Sequence, residues 1–350
     1  MNSAGFRELV SGRRHGWLPS LLRGVLAVAA WLYALVVAAR NACYDWPVAK
    51  VERVAVPVVS VGNLTLGGTG KTPLVAWLVR WYQSRGVAAA IVSRGYKAAA
   101  GMPNDEAVEL GSMLPDTPHV QNPRRVVAAG QAIREHGAQL IVLDDAFQHR
   151  RLQRDLDIVL LDALEPFGYE RVFPRGMLRE PISGLQRADV VVLSRSEAID
   201  DSQREAIRER VRRLAPRAIW LEIAQRPSGL LSAEDVRGDA RQLAGRRVAA
   251  FCGIGNPAGF RHTLHRLGCQ LIGFREFPDH HRYTWADIAS LCRWVEELDD
   301  PAAVLCTHKD LVKINIDQLE SVPLWALTID LEITVGREAF EQQLGRLIAG

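Results

Sequence analysis

The chain lacks every cysteine pattern that would organise it from outside a hydrophobic core. Its 350 residues hold five cysteines, an odd number, and no C-x-x-C. That excludes a complete disulfide framework and a zinc ribbon, and points to a reducing compartment. Cys43, Cys252, Cys269, Cys292 and Cys306 therefore read as small apolar core residues. An excess of one charge is also missing. The net charge is +3 and the basic residues are scattered, so no nucleic-acid partner is expected. Internal repeats and low-complexity tracts are absent, which excludes a repeat architecture. What remains is an ordinary globular balance, 48% hydrophobic and 24% charged, long enough for about two domains.

One hydrophobic run stands apart. "VLAVAAWLYALVVAA" (Val25 to Ala39) is unbroken and bracketed by Arg23 and Arg40. Its 15 residues span about 22 Å as a helix, short of a ~30 Å hydrocarbon core. Extension back to Trp17 reaches a plausible span and takes in Pro19 and Arg23. With Trp17, Trp31 and Tyr33 as interfacial anchors, the run predicts a membrane-associated helix. A buried core helix and a cleaved signal peptide are the alternatives.

After Pro47, strand and helix patterns alternate. Apolar, β-branched runs occur at 56–61, 89–93, 140–144, 157–162 and 189–194. Helical stretches follow Lys71 and lie in "NPRRVVAAGQAIREHG", with Asn122 expected as N-cap, Pro123 as first helical residue and Gly137 as the stop. This alternation predicts an α/β fold: a phosphate-loop NTPase-like parallel sheet with helices on both faces. Residues 226–247 are polar and unperiodic and read as a connection. A second α/β pattern then begins at 248–254, with a capping-box start at Thr284 and Asp287 and strands at 303–307 and 324–331. The expected division is a membrane-associated helix over 1–45, a phosphate-loop domain over 46–225 and a smaller α/β domain over 226–350. The final strand and helix are free in this reading to pack back toward the first domain.

The chemistry starts at "SVGNLTLGGTGKTP" (60–73). The loop follows a strand and precedes a helix, as a phosphate loop must. Yet the first glycine of G-x-x-x-x-G-K-[ST] is missing, and Thr65 stands there. Gly67, Gly68 and Gly70 still allow backbone amides to curl around an anion at a helix N-terminus. Thr65, Leu66, Gly67, Gly68, Thr69, Gly70, Lys71 and Thr72 are the predicted ATP-binding segment. Lys71 reaches the β- and γ-phosphates and Thr72 holds Mg²⁺. In "LIVLDDAFQH" an apolar strand ends in Asp144 and Asp145, placed to organise the metal, one facing it and one in support. In "FPDHHRYT", Asp279 and His280 suit proton abstraction better than metal binding, because no further ligand lies at the right spacing.

Taken in order, "VGNLTLGGTGKTP", "VSRGY", "NDE", "DDAFQHRRLQRDLDIVLLD", "FPRGMLREP", "FPDHHRYT" and "THKDLVK" resemble the tetraacyldisaccharide 4′-kinase (lipid A 4′-kinase) family over nearly the whole chain. The resemblance implies an ATP-dependent kinase acting on the 4′-hydroxyl of an acylated glucosamine disaccharide lipid at the cytoplasmic face of the inner membrane. It further implies that Lys71 and Thr72 bind phosphate and Mg²⁺, with Asp144 and Asp145 at the metal. Asp105 would be the catalytic base in a dyad with His280, and Glu180 a further acid at the metal, next to Arg179. Arg94 and Tyr96 would lie near the nucleotide, and His149 closes the D-D-x-F-Q-H motif. Asn104, Ala107 and Ala146 depart from the family pattern, and Asp116 is the fallback acid for Asp105. A nucleotide-switch ATPase would need a lysine at position 66, where Leu66 stands. A GTPase would need [NT]-K-x-D, whose spacing "THKD" does not keep.

Overall fold

The computed structural model describes residues 3–46, 48–95, 105–279 and 281–349. In chain order it begins with α1 (Ser3–Val10), α2 (Trp17–Asp45), β1 (Val58–Asn63), α3 (Lys71–Gln83), β2 (Ala89–Ser93) and α4 (Asp105–Met113). There follow β3 (His119–Gln121), α5 (Arg125–His136), β4 (Leu140–Asp144), β5 (Leu156–Asp162), β6 (Val190–Ser194), α6 (Asp201–Leu214) and β7 (Ile219–Leu231). The remainder is β8 (Arg237–Gly238), β9 (Arg247–Cys252), α7 (Pro257–Arg266), β10 (Gln270–Glu276), α8 (Trp285–Glu296), β11 (Ala303–Thr307), α9 (His308–Ile314), β12 (Gln318–Leu319), β13 (Val322–Val335) and α10 (Arg337–Arg346). Two compact units result. The first holds Met1–Tyr96, Asp116–Ala224 and Ile333–Gly350; the second holds Lys97–Pro115 and Gln225–Glu332.

In the first unit the strands run in the order β3-β2-β4-β1-β5-β6, all parallel, and β7 adds parallel to β6. Every residue of β1, β2, β4 and β6 is buried, as strands covered on both faces require. One face packs Ala128, Ala129 and Ala132 of α5 on Ala90, Val92, Ile141 and Leu143. The other packs Leu64, Phe147 and Leu185 with Val159, Leu161, Val191 and Leu193. From β1 the chain moves to β2 beyond β4, and from β4 it returns to β5 across β1. That reversal puts a crevice at the carboxyl ends of β1, β4 and β5, where open α/β sheets bind ligands.

The second unit orders its parallel strands β10-β9-β11-β13, with β12 antiparallel on β13. Its α4 belongs here because Glu109 pairs with Lys309 at 3.2 Å and Ser112 meets His308 at 3.3 Å. Residues 226–247 are not simply a connection: β7 continues to Leu231 and β8 pairs back on it. Those short strands exist through pairing, which leaves no periodic signal in a polar segment.

Two local expectations change. Asn122 does not cap α5; its side chain accepts from the Arg124 amide at 2.9 Å, a turn of its own, and the helix starts at Arg125. Cys43 is exposed on α2 and Cys292 is half-buried, while the other three cysteines are buried. The capping box of Thr284 and Asp287 forms as expected.

Candidate active site

The crevice is built on β1. Gly62 is required there, because an added Cβ would lie 2.6 Å from the Phe147 Cβ, and the segment after β4 could not cross. Beyond Asn63 the loop turns through Gly67 (φ 118°) and Gly70 (φ 79°), both left-handed, before α3 starts at Lys71. Inside the turn, Asn63 Nδ2 donates to the Thr65 carbonyl at 2.9 Å. Thr65, Thr69, Lys71 and Thr72 are buried, and Thr69 Oγ1 has no hydrogen-bond partner among the described residues.

Two outer segments grip this loop. Ser194 Oγ donates to the Thr69 carbonyl at 2.8 Å, and Arg195, itself paired with Asp162, donates to the Gly68 carbonyl at 2.6 Å. On the other side residues 173–181 form a strap. The Leu66 amide donates to Met177 O and the Arg179 amide to Leu64 O, each at 2.7 Å, and Thr65 bridges Leu178.

The acidic pair sits at the end of β4. In register, Asp144 lies beside Val61 of β1 and is buried. Asp145 follows in a left-handed conformation (φ 50°) that turns its carboxylate toward the loop. Lys71 Nζ meets Asp145 Oδ1 at 3.2 Å, and Arg179 Nη1 donates to both carboxylate oxygens at 2.9 Å. Burial opposes the Asp145 charge, but the Lys71 and Arg179 cations prevail and hold its carboxyl far below the usual range. Asp145 is thus a fixed anion between two cations, one of them the lysine of the phosphate loop.

Glu180 has a different setting from the one expected. It is buried, and both its oxygens are already engaged: Arg187 donates to each at 2.8–2.9 Å, Gln148 to one at 3.0 Å and Asn41 to the other at 3.0 Å. The Arg187 guanidinium also lies over the Phe147 ring, 4.6 Å from its centroid. This is a satisfied buried cluster behind the site. His149 follows Gln148 in the chain, and burial together with the Arg125 and Arg154 cations pushes its pKa down to about 4, so its ring is neutral.

The other predicted residues divide between the units. Arg94 ends the β2 segment and is exposed, and its charge acts on Arg125. Asp116 lies in an exposed turn. Asp105 is the first residue of α4 in the second unit, and Asp279 lies in an exposed turn of that unit. Tyr96, His280 and the Asp105 side chain lie outside the described residues.

Sequence reasoning missed Arg125, a buried guanidinium at the start of α5. Burial and Arg94 push its pKa down, and Asp145 and Asp144 oppose them. The doubled arginine after Asn122 and Pro123 was its one sequence signal. Ser194, Arg195, Gln148 and Arg187 were also missed, because each acts on the loop or the acids only through the fold.

Among the described residues no group of three His, Cys, Asp or Glu could hold a metal. The Thr72 hydroxyl in the first turn of α3 and the Asp144 carboxylate at the end of β4 are hard-oxygen donors of the kind Mg²⁺ takes together with waters and phosphate oxygens.

The family described as Tetraacyldisaccharide-1-P 4′-kinase (LpxK) matches residues 22–349. A tetraacyldisaccharide 4′-kinase of Anaeromyxobacter sp. (strain Fw109-5) is 36% identical, covering 94% of this chain and 93% of its own length. The protein of the same name from Chlorobaculum parvum is 37% identical over 91% of this chain and 93% of its own. The crystal structure of LpxK from Aquifex aeolicus in complex with ATP superposes with a TM-score of 0.72 at 27% identity, covering 93% of this chain and 99% of that one. The loop, the acidic pair and the strap thus stand in a chain that belongs to the tetraacyldisaccharide 4′-kinase family.

Proposed function

We propose that the chain transfers the γ-phosphoryl group of ATP to the 4′-hydroxyl of an acylated glucosamine disaccharide 1-phosphate, in lipid A biosynthesis. The observation that carries this reading is the cluster in which Asp145 and Arg179 meet Lys71 of the phosphate loop. In the transfer the hydroxyl oxygen bonds to Pγ, the Pγ–O bond to the β-phosphate breaks, and ADP leaves. The hydroxyl proton goes to a base, for which Asp105 is the family-motif assignment, with His280 and Asp279 as its supports.

Most of the work left to the protein is positioning and charge neutralisation. Lys71 is already desolvated and oriented by Asp145, so an arriving phosphate finds a cation in place. Arg179 keeps Asp145 anionic when Lys71 shares its charge with phosphate. Thr72 and Asp144 would hold Mg²⁺, with Asp145 behind them; the bound ion supplies further neutralisation of phosphate charge. Arg94, Tyr96 and Arg125 are assigned to the nucleotide side of the site. Glu180 and His149 support the acidic segment from behind.

The reading places the enzyme at the cytoplasmic face of the inner membrane. Its support is α2, 29 residues and about 44 Å long, with Trp17, Leu21, Val25, Val28, Leu32 and Val36 exposed. Val28→Asp with Leu32→Asp should abolish sedimentation with vesicles of phosphatidylethanolamine and phosphatidylglycerol. Sedimentation equal to the parent protein would remove the membrane assignment.

The direct test of function is ³²P transfer from [γ-³²P]ATP to the disaccharide, resolved by thin-layer chromatography. Asp105→Ala should lower the rate roughly 10²–10⁴-fold. A near-parental rate would reject that residue as the base. ATP consumption indifferent to the lipid would favour a switch ATPase instead.

A further inference from the structure

The strap of residues 173–181 touches the phosphate loop on one side and the two N-terminal helices on the other. On α2, Tyr33 Oη donates to the Arg179 carbonyl at 3.0 Å, and Asn41 Nδ2 donates to Glu180 Oε2 at 3.0 Å. Tyr33 also meets the Phe173 ring edge-on at 6.4 Å, and Phe6 of α1 meets the same ring at 6.1 Å. Arg175 donates to the Val10 carbonyl at the end of α1 at 2.9 Å. Arg150, from the segment after β4, clamps the far end of α2 through the Asn41 carbonyl at 3.0 Å and Asp45 at 2.7 Å.

Helical spacing separates these contacts from the apolar surface. Ala30, Tyr33, Val37 and Asn41 recur at three- and four-residue intervals and form the docked face, with Ala30 and Val37 buried. Val25, Val28, Leu32 and Val36 stand exposed on the rest of the helix. One helix therefore presents an apolar face outward, while Tyr33 and Asn41 on its docked face hold Arg179, which binds Asp145, and its neighbour Glu180.

We infer that Tyr33 and Asn41 are positioning residues of the phosphotransfer site: α2 fixes the Arg179–Glu180 strap, and through Arg179 it orients Asp145 against Lys71. The inference rests on the proposed role of Asp145. Its physical basis is that Arg179 can bind both oxygens of Asp145 only while its backbone is held. That backbone has two anchors, the Leu64 carbonyl for its amide and the Tyr33 hydroxyl for its carbonyl. Glu180, the next residue, is held by Asn41 together with Gln148 and Arg187. Because Gln148 also donates to the Asn63 carbonyl at 3.0 Å, the same cluster reaches the start of the phosphate loop.

The test is a kinetic cycle on the full-length enzyme with ATP and the disaccharide lipid. Tyr33→Phe with Asn41→Leu should lower kcat about 5–10-fold, leave the KM for ATP within about 2-fold and leave vesicle sedimentation unchanged. In an Arg179→Ala background the same pair should lower the residual rate no further. Amide exchange over residues 177–180 should quicken in Tyr33→Phe alone, a variant that loses only one hydroxyl. A multiplicative loss in the Arg179→Ala background, an unchanged kcat, or unchanged exchange would each overturn the inference. If the parent enzyme fails to phosphorylate the lipid, the functional proposal fails instead, and the exchange measurement still decides the coupling.

Discussion

Two carboxylates follow strand ends in this molecule and are treated in opposite ways. Asp145, after β4, is partly open to solvent and faces the cations Lys71 and Arg179. Asp310, in the first turn of α9 after β11, is completely buried and receives only neutral donors: the Tyr283 hydroxyl at 2.9 Å, the Gly253 amide at 3.0 Å and the Thr307 hydroxyl at 2.6 Å. Burial raises the pKa of Asp310 despite those bonds, whereas the cations lower that of Asp145. An acid placed for chemistry keeps its charge and an open side. An acid placed for architecture engages both its oxygens within its own fold. "THKD" and "LDDAFQH" look comparably functional as strings, and only the partners tell them apart.

The largest expected effect tests the first half of this contrast. Lys71→Ala should lower phosphoryl transfer by roughly 10²–10³-fold, and Asp145→Asn by a similar factor, with little change in thermal midpoint. A large drop in stability for Asp145→Asn would make it an architectural acid like Asp310. Next, Asp310→Ala should destabilise the fold by about 2–4 kcal/mol, since it strands the buried Gly253 amide and the half-buried Tyr283 hydroxyl. Urea unfolding measures that loss, and kcat of the folded fraction should stay within about 2-fold of the parent. Tyr283→Phe removes one of the three donors and should cost about 1 kcal/mol by the same measurement.

The last effect concerns pH. Burial pushes His119 down to about 4, and burial with Arg125 and Arg154 does the same to His149. Each folded pKa lies below the unfolded value near 6.5. Their contribution to stability is therefore complete above about pH 6.5 and lost as pH falls toward 4. Asp310, with its raised pKa, works in the opposite sense: its charge is tolerated least, and stability from its protonated form is lost as pH rises through that pKa. The thermal midpoint should fall between pH 6.5 and 4, and His119→Gln should flatten that fall. An unaltered slope would show that His119 is not held as a neutral ring in the fold.

The phosphate loop was legible because its requirements are local. Glycines at 67 and 70 permit left-handed turns, and β1 and α3 announce themselves by apolar runs on either side. The acidic pair was legible as a strand end. The strap was visible only as a family string, "FPRGMLREP", with no sign that Arg179 would pair with Asp145 rather than bind substrate directly. Glu180 was read as a further acid at the metal on the family resemblance of "LREP" alone. Its occupation by Arg187, Gln148 and Asn41 depends on residues from 7 to 139 positions away. The membership of α4 in the second unit was also out of reach, since Glu109 and Lys309 meet across 200 residues of chain.

By itself the sequence determined the parallel α/β class, the anion-binding turn and the apolar helix at the start, all of which follow from backbone freedom and hydrophobic period over a few residues. Tertiary structure alone decided which cation neutralises which acid, which carboxylate stays open, and that the apolar helix turns Tyr33 and Asn41 to the strap beside Asp145. Those outcomes depend on distances of about 3 Å between residues far apart in the chain. No periodicity encodes such a distance; only the packed sheet brings the partners within it.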